Sequence, residues 1–209
     1  MSIYQQENYT VLEKAVSESH SDEHDEVFKR IESTFTKAKI NRLRVKLRNY
    51  RNDGIDNMSP VQRMMETHSS KLLGEFMRAM RMPRPGARWE AHHIISGDHP
   101  EAEESRTVLA SPLHKMRIDD PANGCWMPKT KADARPTMYP NAIGHNRIHR
   151  EKYYRWVFNR ISILSDTGLL KAFLNTVRQQ LLDGNISDEY ILQEEIDDKE
   201  YYSWLKKVK

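Results

Sequence analysis

Cysteine is nearly absent from this chain of 209 residues: Cys125 is the one thiol. That excludes an intramolecular disulfide and any zinc site built from several cysteines. No stretch approaches the roughly 18 to 20 consecutive apolar residues of a membrane span, so no membrane insertion is expected. Met1-Ser2-Ile3-Tyr4 opens no signal peptide, and export, if it occurs, is expected by a route that reads no cleavable leader. Internal repeats and low-complexity tracts are missing as well. Hydrophobic residues make up 38% and the mean hydropathy is -0.81, yet the apolar residues recur in helical registers. A folded, strongly hydrated helical protein follows, with room for one elaborated domain or two small ones.

Net charge is only +3, but its distribution is uneven. Residues 1–36 and 161–209 are acidic on balance, whereas residues 37–160 hold 24 basic and 13 acidic side chains, a net of +11. A local positive field of this kind suits a polyanionic substrate; a solvated helical face would produce the same count.

Periodicity predicts helices over residues 3–18, from Asp22 to about Tyr50, from Ser59-Pro60 to Met82, over 101–117, from Gly144 to about Leu164, from Thr167 to Leu182 and over 187–207. Strand character is confined to residues 87–95 and to Cys125-Trp126-Met127 before Pro128. The expected fold class is α+β and predominantly helical, a small ββα finger core inside an α-helical shell. The expected organisation is a helical region over 1–85, a core over 86–160 and a helical extension over 161–209.

The basic middle contains two pairs of histidines. His92 and His93 are adjacent in Trp89-Glu90-Ala91-His92-His93-Ile94-Ile95, and on a strand they point to opposite sides. His145 and His149 are four apart in Ile143-Gly144-His145-Asn146-Arg147-Ile148-His149, which on a helix puts both imidazoles on one face. Between the pairs lies the turn dipeptide Asn123-Gly124. Phosphodiester hydrolysis needs an activated water, neutralised charge at phosphorus and a stabilised leaving oxygen. Neutral imidazoles can supply both a general base and the ligands of a divalent cation. One of the tandem histidines can face the metal and the other the attacking water. His145 and His149 can bind the same ion, and the Asn123 amide can pin its loop or orient the base.

Each element alone has a plainer reading. A tandem His-His is seldom a site, His-x-x-x-His is commonly a surface pair, and Asn-Gly is nearly always a turn; together and in this order they point to a nuclease. His20, His24, His68 and His99 are expected to be solvated, His114 structural, Cys125 a small core residue, and Trp89, Trp126 and Trp156 core anchors. Tyr153, one turn beyond His149, either supports the site from behind or packs. Lys37, Lys39, Arg42, Arg44, Lys46, Arg48 and Arg51 read equally as a DNA-facing arm or a solvated helix. Arg147, Arg150, Lys152 and Arg155 are the better candidates for phosphate contacts.

Ala91-His92-His93, the Asn123-Gly124 turn and His145-x-x-x-His149 followed by Tyr153 resemble the AHH family of the HNH/endonuclease VII-like superfamily, the ββα-metal nucleases. The resemblance covers residues 87–158. It implies that His92, His145 and His149 bind one divalent metal ion (Mg, Mn, Zn or Ni), that His93 is the general base, and that Asn123 assists catalysis. The stretch from His93 to Asn123 holds a whole predicted helix, as suits the AHH branch. The family's frequent place as the toxic domain of bacterial polymorphic toxins implies a nonspecific DNase, with RNA as the other substrate. An acidic immunity protein and a secretion-system or adaptor protein are the implied partners, and the implied route is synthesis in a bacterial cytoplasm and action in the cytoplasm of a target cell. Glu194, Glu195, Asp197, Asp198 and Glu200 could shield the basic surface or form a solvated face. Two other readings compete: a non-catalytic, metal-stabilised nucleic-acid-binding module, and a housekeeping HNH endonuclease.

Overall fold

The computed structural model describes residues 22–135 and 137–191, with side chains from residue 36 onward. The helices expected over 3–18 and beyond 191, and the acidic stretch Glu194–Glu200, lie outside the described residues. Compact units divide at Arg42/Leu43. In the first, the described backbone is the start of helix α1 (Asp22–Asp56), on which Lys37, Lys39 and Arg42 are exposed.

The second unit holds the remainder of α1, then α2 (Pro60–Met64), α3 (Ser70–Ala79), β1 (Trp89–His93), α4 (Glu103–Ala110), β2 (Gly124–Pro128), α5 (Glu151–Ile161) and α6 (Thr167–Asp183), joined by short 3-10 turns. β1 and β2 pair antiparallel, with Ala91 opposite Trp126, His92 opposite Cys125 and His93 opposite Gly124. The fold is thus helical α+β with one small sheet, as the sequence implies. No helix among the described residues is long and apolar enough to cross a membrane.

The sheet is buried on both sides. Leu73 and Met77 of α3 reach it from one direction, and Leu174, Val177 and Leu181 of α6 belong to the same core with Trp89, Trp126 and Trp156. Cys125 is fully buried there, and burial pushes its thiol up to about 12, so it packs as an apolar group. α6 stops at Gly184, whose φ of 72° is the left-handed cap that favours glycine.

Four expected boundaries move, each for a local reason. α1 runs past Asn52-Asp53-Gly54 to Asp56; Gly54 is buried there beneath Arg117, whose side chain a Cβ would meet at 2.5 Å. The single helix expected from Ser59 to Met82 is two. Ser59 and Gln62 form a capping box for α2, and Ser69 starts α3 by accepting from the Leu72 amide at 3.2 Å. The helix expected over 101–117 ends at Ala110, because Ser111 precedes Pro112 and is driven to extended backbone.

The fourth change bears on function. The helix expected from Gly144 begins only at Glu151. His145–Arg147 is a 3-10 turn and Arg150 is extended. Ile143, Gly144, Asn146, Arg147 and Ile148 are all buried, and a segment covered on every side has no helical stripe to obey. His145 and His149 are therefore not on one α-helical face.

Candidate active site

Strand pairing aims the tandem histidines in different directions. His92 Nδ1 lies 3.1 Å from His145 Nε2, and His145 Nε2 lies 3.0 Å from His149 Nε2. One ring nitrogen from each of the three lies within 4.8 Å of the other two. The 3-10 turn and the extended step after it bring His145 and His149 together, as the expected helix would have done by another route.

The outer nitrogens are held. His145 Nδ1 is 3.0 Å from Glu90 Oε2, and Lys129 Nζ is 3.6 Å from the other oxygen of that carboxylate. His149 Nδ1 is 2.7 Å from the Tyr154 hydroxyl. A carboxylate or hydroxyl on the far nitrogen fixes the ring's orientation and leaves the near nitrogen's lone pair directed at its neighbours. Burial, and then the neighbouring imidazoles, keep His92 and His149 well below the ordinary imidazole range, so both are neutral near pH 7. The two contacts through His145 Nε2, 3.0 and 3.1 Å, approach the ligand spacing of about 3.3 Å around a tetrahedral zinc. His92 Nε2, by contrast, is buried with no hydrogen-bond partner among the described residues. The donor set fits a divalent cation with at least one open coordination position.

His93 has a different environment. Its Nε2 lies 2.7 Å from Asp119 Oδ1, with both side chains buried. Burial pulls the His93 imidazole below its ordinary value and the Asp119 carboxylate opposes that shift. Asp119 is fixed in turn: both its oxygens accept from the Ser69 amide, at 2.9 and 3.1 Å, and its own amide donates to the Tyr50 hydroxyl at 3.0 Å. Tyr50 packs under the Arg117 guanidinium, 3.7 Å from the ring centroid.

His93 and the triad line one cleft of about 510 Å³. His68 and His99, expected to be solvated, line it too. His68 stands edge-on to His93 with ring centroids 5.0 Å apart, and His99 lies 4.4 Å from the Tyr154 ring. Gly97 lets His68 in, since a Cβ there would sit 2.4 Å from the His68 Cβ. His114 is buried away from the triad, with Nδ1 lacking a partner among the described residues.

Asn123 is brought near but not into the cleft. Fully buried, its side chain accepts from the Ile95 amide at 2.8 Å and donates to the Ile95 and Ile118 carbonyls at 3.1 and 3.0 Å. Of its two expected roles, this geometry is the loop pin, holding the segment after β1 to the segment that carries Asp119. Tyr153 packs in the core with its hydroxyl 3.4 Å from the Ile94 carbonyl; its neighbour Tyr154 makes the histidine contact.

The four basic residues expected to meet phosphate do not line the cleft. Arg147 is buried, Arg150 donates to the Ile191 carbonyl at 2.5 Å, and Lys152 and Arg155 are exposed on α5, Arg155 paired with Glu151 at 2.5 Å. Of the α1 basic residues in the second unit, Arg44 donates to the Ala79 carbonyl, Lys46 pairs with Glu75, and Arg51 holds Asp120 through two bonds of 2.6 and 2.9 Å. Glu90, Asp119 and Tyr154 are the partners that sequence reasoning missed. Glu90 adjoins the tandem within a strand, and Asp119 precedes Asn123 in an Asp-Asp-Pro turn, but neither position announces its histidine.

Residues 73–181 match the AHH model, described as a nuclease family of the HNH/ENDO VII superfamily with conserved AHH. Neither a curated protein nor a solved structure matches the chain.

Proposed function

The chain belongs to the AHH nuclease family, and on that premise we propose that it is a metal-dependent HNH-type endonuclease that hydrolyses DNA without sequence preference. The observation that carries this reading is the convergence of three imidazoles and a separate His–Asp pair in one cleft. His92, His145 and His149 would hold the ion, and an all-nitrogen set favours a transition ion such as zinc or nickel over magnesium. When bound, such an ion neutralises the phosphate and stabilises the departing oxygen.

The remaining steps belong to the chain. Asp119 Oδ1 accepts from His93 Nε2–H, which leaves Nδ1 as the nitrogen that can take a proton. His93 removes a proton from water as the water oxygen bonds to phosphorus. The bond from phosphorus to the leaving oxygen breaks on the opposite side, and that oxygen ends protonated from solvent. Glu90 and Tyr154 orient His145 and His149, and Asn123 positions the loops around His93 without touching the reacting atoms.

The proposal extends to biology. A nonspecific nuclease endangers its producer, so the chain would act as a delivered antibacterial toxin in the target-cell cytoplasm, restrained at home by an acidic immunity protein. The +11 balance over residues 37–160 supports such a partner by charge complementarity.

The test is digestion of supercoiled plasmid by the purified full chain across magnesium, manganese, zinc and nickel, with a chelator control. Metal-restored cleavage, lost on chelation, is expected. A protein that binds DNA and metal but leaves every plasmid intact would be a non-catalytic binding module instead.

A further inference from the structure

The cleft has a basic wall that the sequence did not point to. Lys71, Gly74 and Arg78 lie along one side of α3 at spacings of three and four residues, and all three line the cleft. Gly74 between them lets α3 close onto the sheet: a Cβ there would sit 2.9 Å from the Trp126 ring and 3.5 Å from the Ala91 Cβ. Arg78 lies over Trp126, 5.4 Å from the ring centroid. Arg84, just beyond α3, lines the same cleft and is steadied by bonds to the Trp89 and Ala87 carbonyls, both 2.6 Å.

The carboxylates beside these cations are already compensated. Glu75 pairs with Lys46 at 3.0 Å, and Glu90 pairs with His145 at 3.0 Å and Lys129 at 3.6 Å. Asp98 also lines the cleft, and it acts on His93, His99, Arg106 and Tyr154. Among the described residues no carboxylate pairs with Lys71 or Arg78. Arg84 is pushed below its ordinary value by burial and then by Arg78, with Glu90 opposing; an anion between the two guanidiniums would relieve that repulsion.

We propose that Lys71, Arg78 and Arg84 form a phosphate track that holds the nucleic-acid backbone beside the scissile bond, in place of the basic residues at 147–155. The two α3 cations are separated by about 10 Å along the helix, at roughly 1.5 Å per residue, so they meet different phosphates of one strand. They carry no base-reading geometry, so the track contributes affinity and register without sequence preference. The identity of the ligand rests on the nuclease reading; the placement of the contacts rests on the cleft.

The experiment is fluorescence anisotropy with the full chain in chelator, titrating a short labelled DNA duplex and an RNA duplex of the same sequence at several salt concentrations. Lys71→Gln combined with Arg78→Gln should weaken binding by about 10-fold or more and lower the salt slope by about 2, near 0.9 for each phosphate lost. Lys152→Gln combined with Arg155→Gln should keep the parent slope. Lys71→Glu alone is the second variant if loss of Arg78 disturbs Trp126, and it should lower the slope by about 1 or more. A natively melting Lys71/Arg78 variant with the parent slope would overturn the proposal, as would a slope lost through Lys152 and Arg155 or a wild-type chain that binds neither duplex. A slope carried by the track on either duplex supports it. Cleavage is not read here, so a chain that cuts nothing can still show the track, and a chain that cuts can lack it.

Discussion

Asp119 Oδ1 lies 2.7 Å from His93 Nε2, both side chains buried, and the carboxylate is itself held by the Ser69 amide through both oxygens. In the proposed mechanism His93 depends on the group that orients it. Asp119→Asn should lower kcat for plasmid cleavage by about 10²-fold or more, the scale of a compromised general base. KM for DNA and metal affinity should stay near the parent values. An unchanged kcat in a natively folded variant would remove Asp119 from the mechanism.

Glu90 makes the corresponding contact behind the triad, 3.0 Å from His145 Nδ1. Glu90→Gln should weaken divalent-ion binding by about 10- to 100-fold, the usual cost of losing a group that orients a ligand. Cleavage should recover when more metal is added. Activity lost at saturating metal would give Glu90 a different role.

Asn123 has a structural signature, with three side-chain bonds to buried backbone groups. Asn123→Ala strands those groups at about 1–3 kcal/mol each, so urea melts should show a loss of several kcal/mol. A variant of parent stability that fails to cleave would instead mark Asn123 as part of the chemistry.

Without metal, the buried imidazoles make stability depend on pH. His92, His93 and His149 all titrate below the ordinary 6.5 in the folded protein, so the unfolded chain takes up protons first as pH falls. Their contribution is complete above about 6.5 and is lost on acidification, by up to about 1.4 kcal/mol per pH unit for each residue. Melting temperatures measured in chelator should therefore drop from about pH 7 to about pH 5, through the histidine range. Added ion should raise them at neutral pH, since it stabilises the fold by about 2.7 kcal/mol at 100 times its Kd. A flat acid profile would contradict neutral burial of the three rings.

The two strands, the divergence of His92 from His93 and the family were legible in the sequence, because alternation on a strand and short motifs are local. The triad's membership was legible too, though its path was not. The buried run from Ile143 to Ile148 replaced the expected helix, and tertiary burial leaves no periodic trace. Asp119 was hidden because Ser69 and Tyr50, far away in sequence, place it. The basic residues nearest His149 in sequence do not line the cleft, whereas Lys71 and Arg78 reach it from a helix that precedes the first strand.

Separating metal binding from base catalysis tests the central claim most directly. Calorimetric titration of zinc or nickel into wild-type, His93→Ala and His149→Ala protein is to be run beside plasmid cleavage by the same samples. His93→Ala should bind the ion nearly as tightly as wild type and cleave about 10²-fold more slowly or worse, whereas His149→Ala should lose the ion itself. A His93→Ala protein that loses the metal yet keeps its cleavage rate would contradict the account.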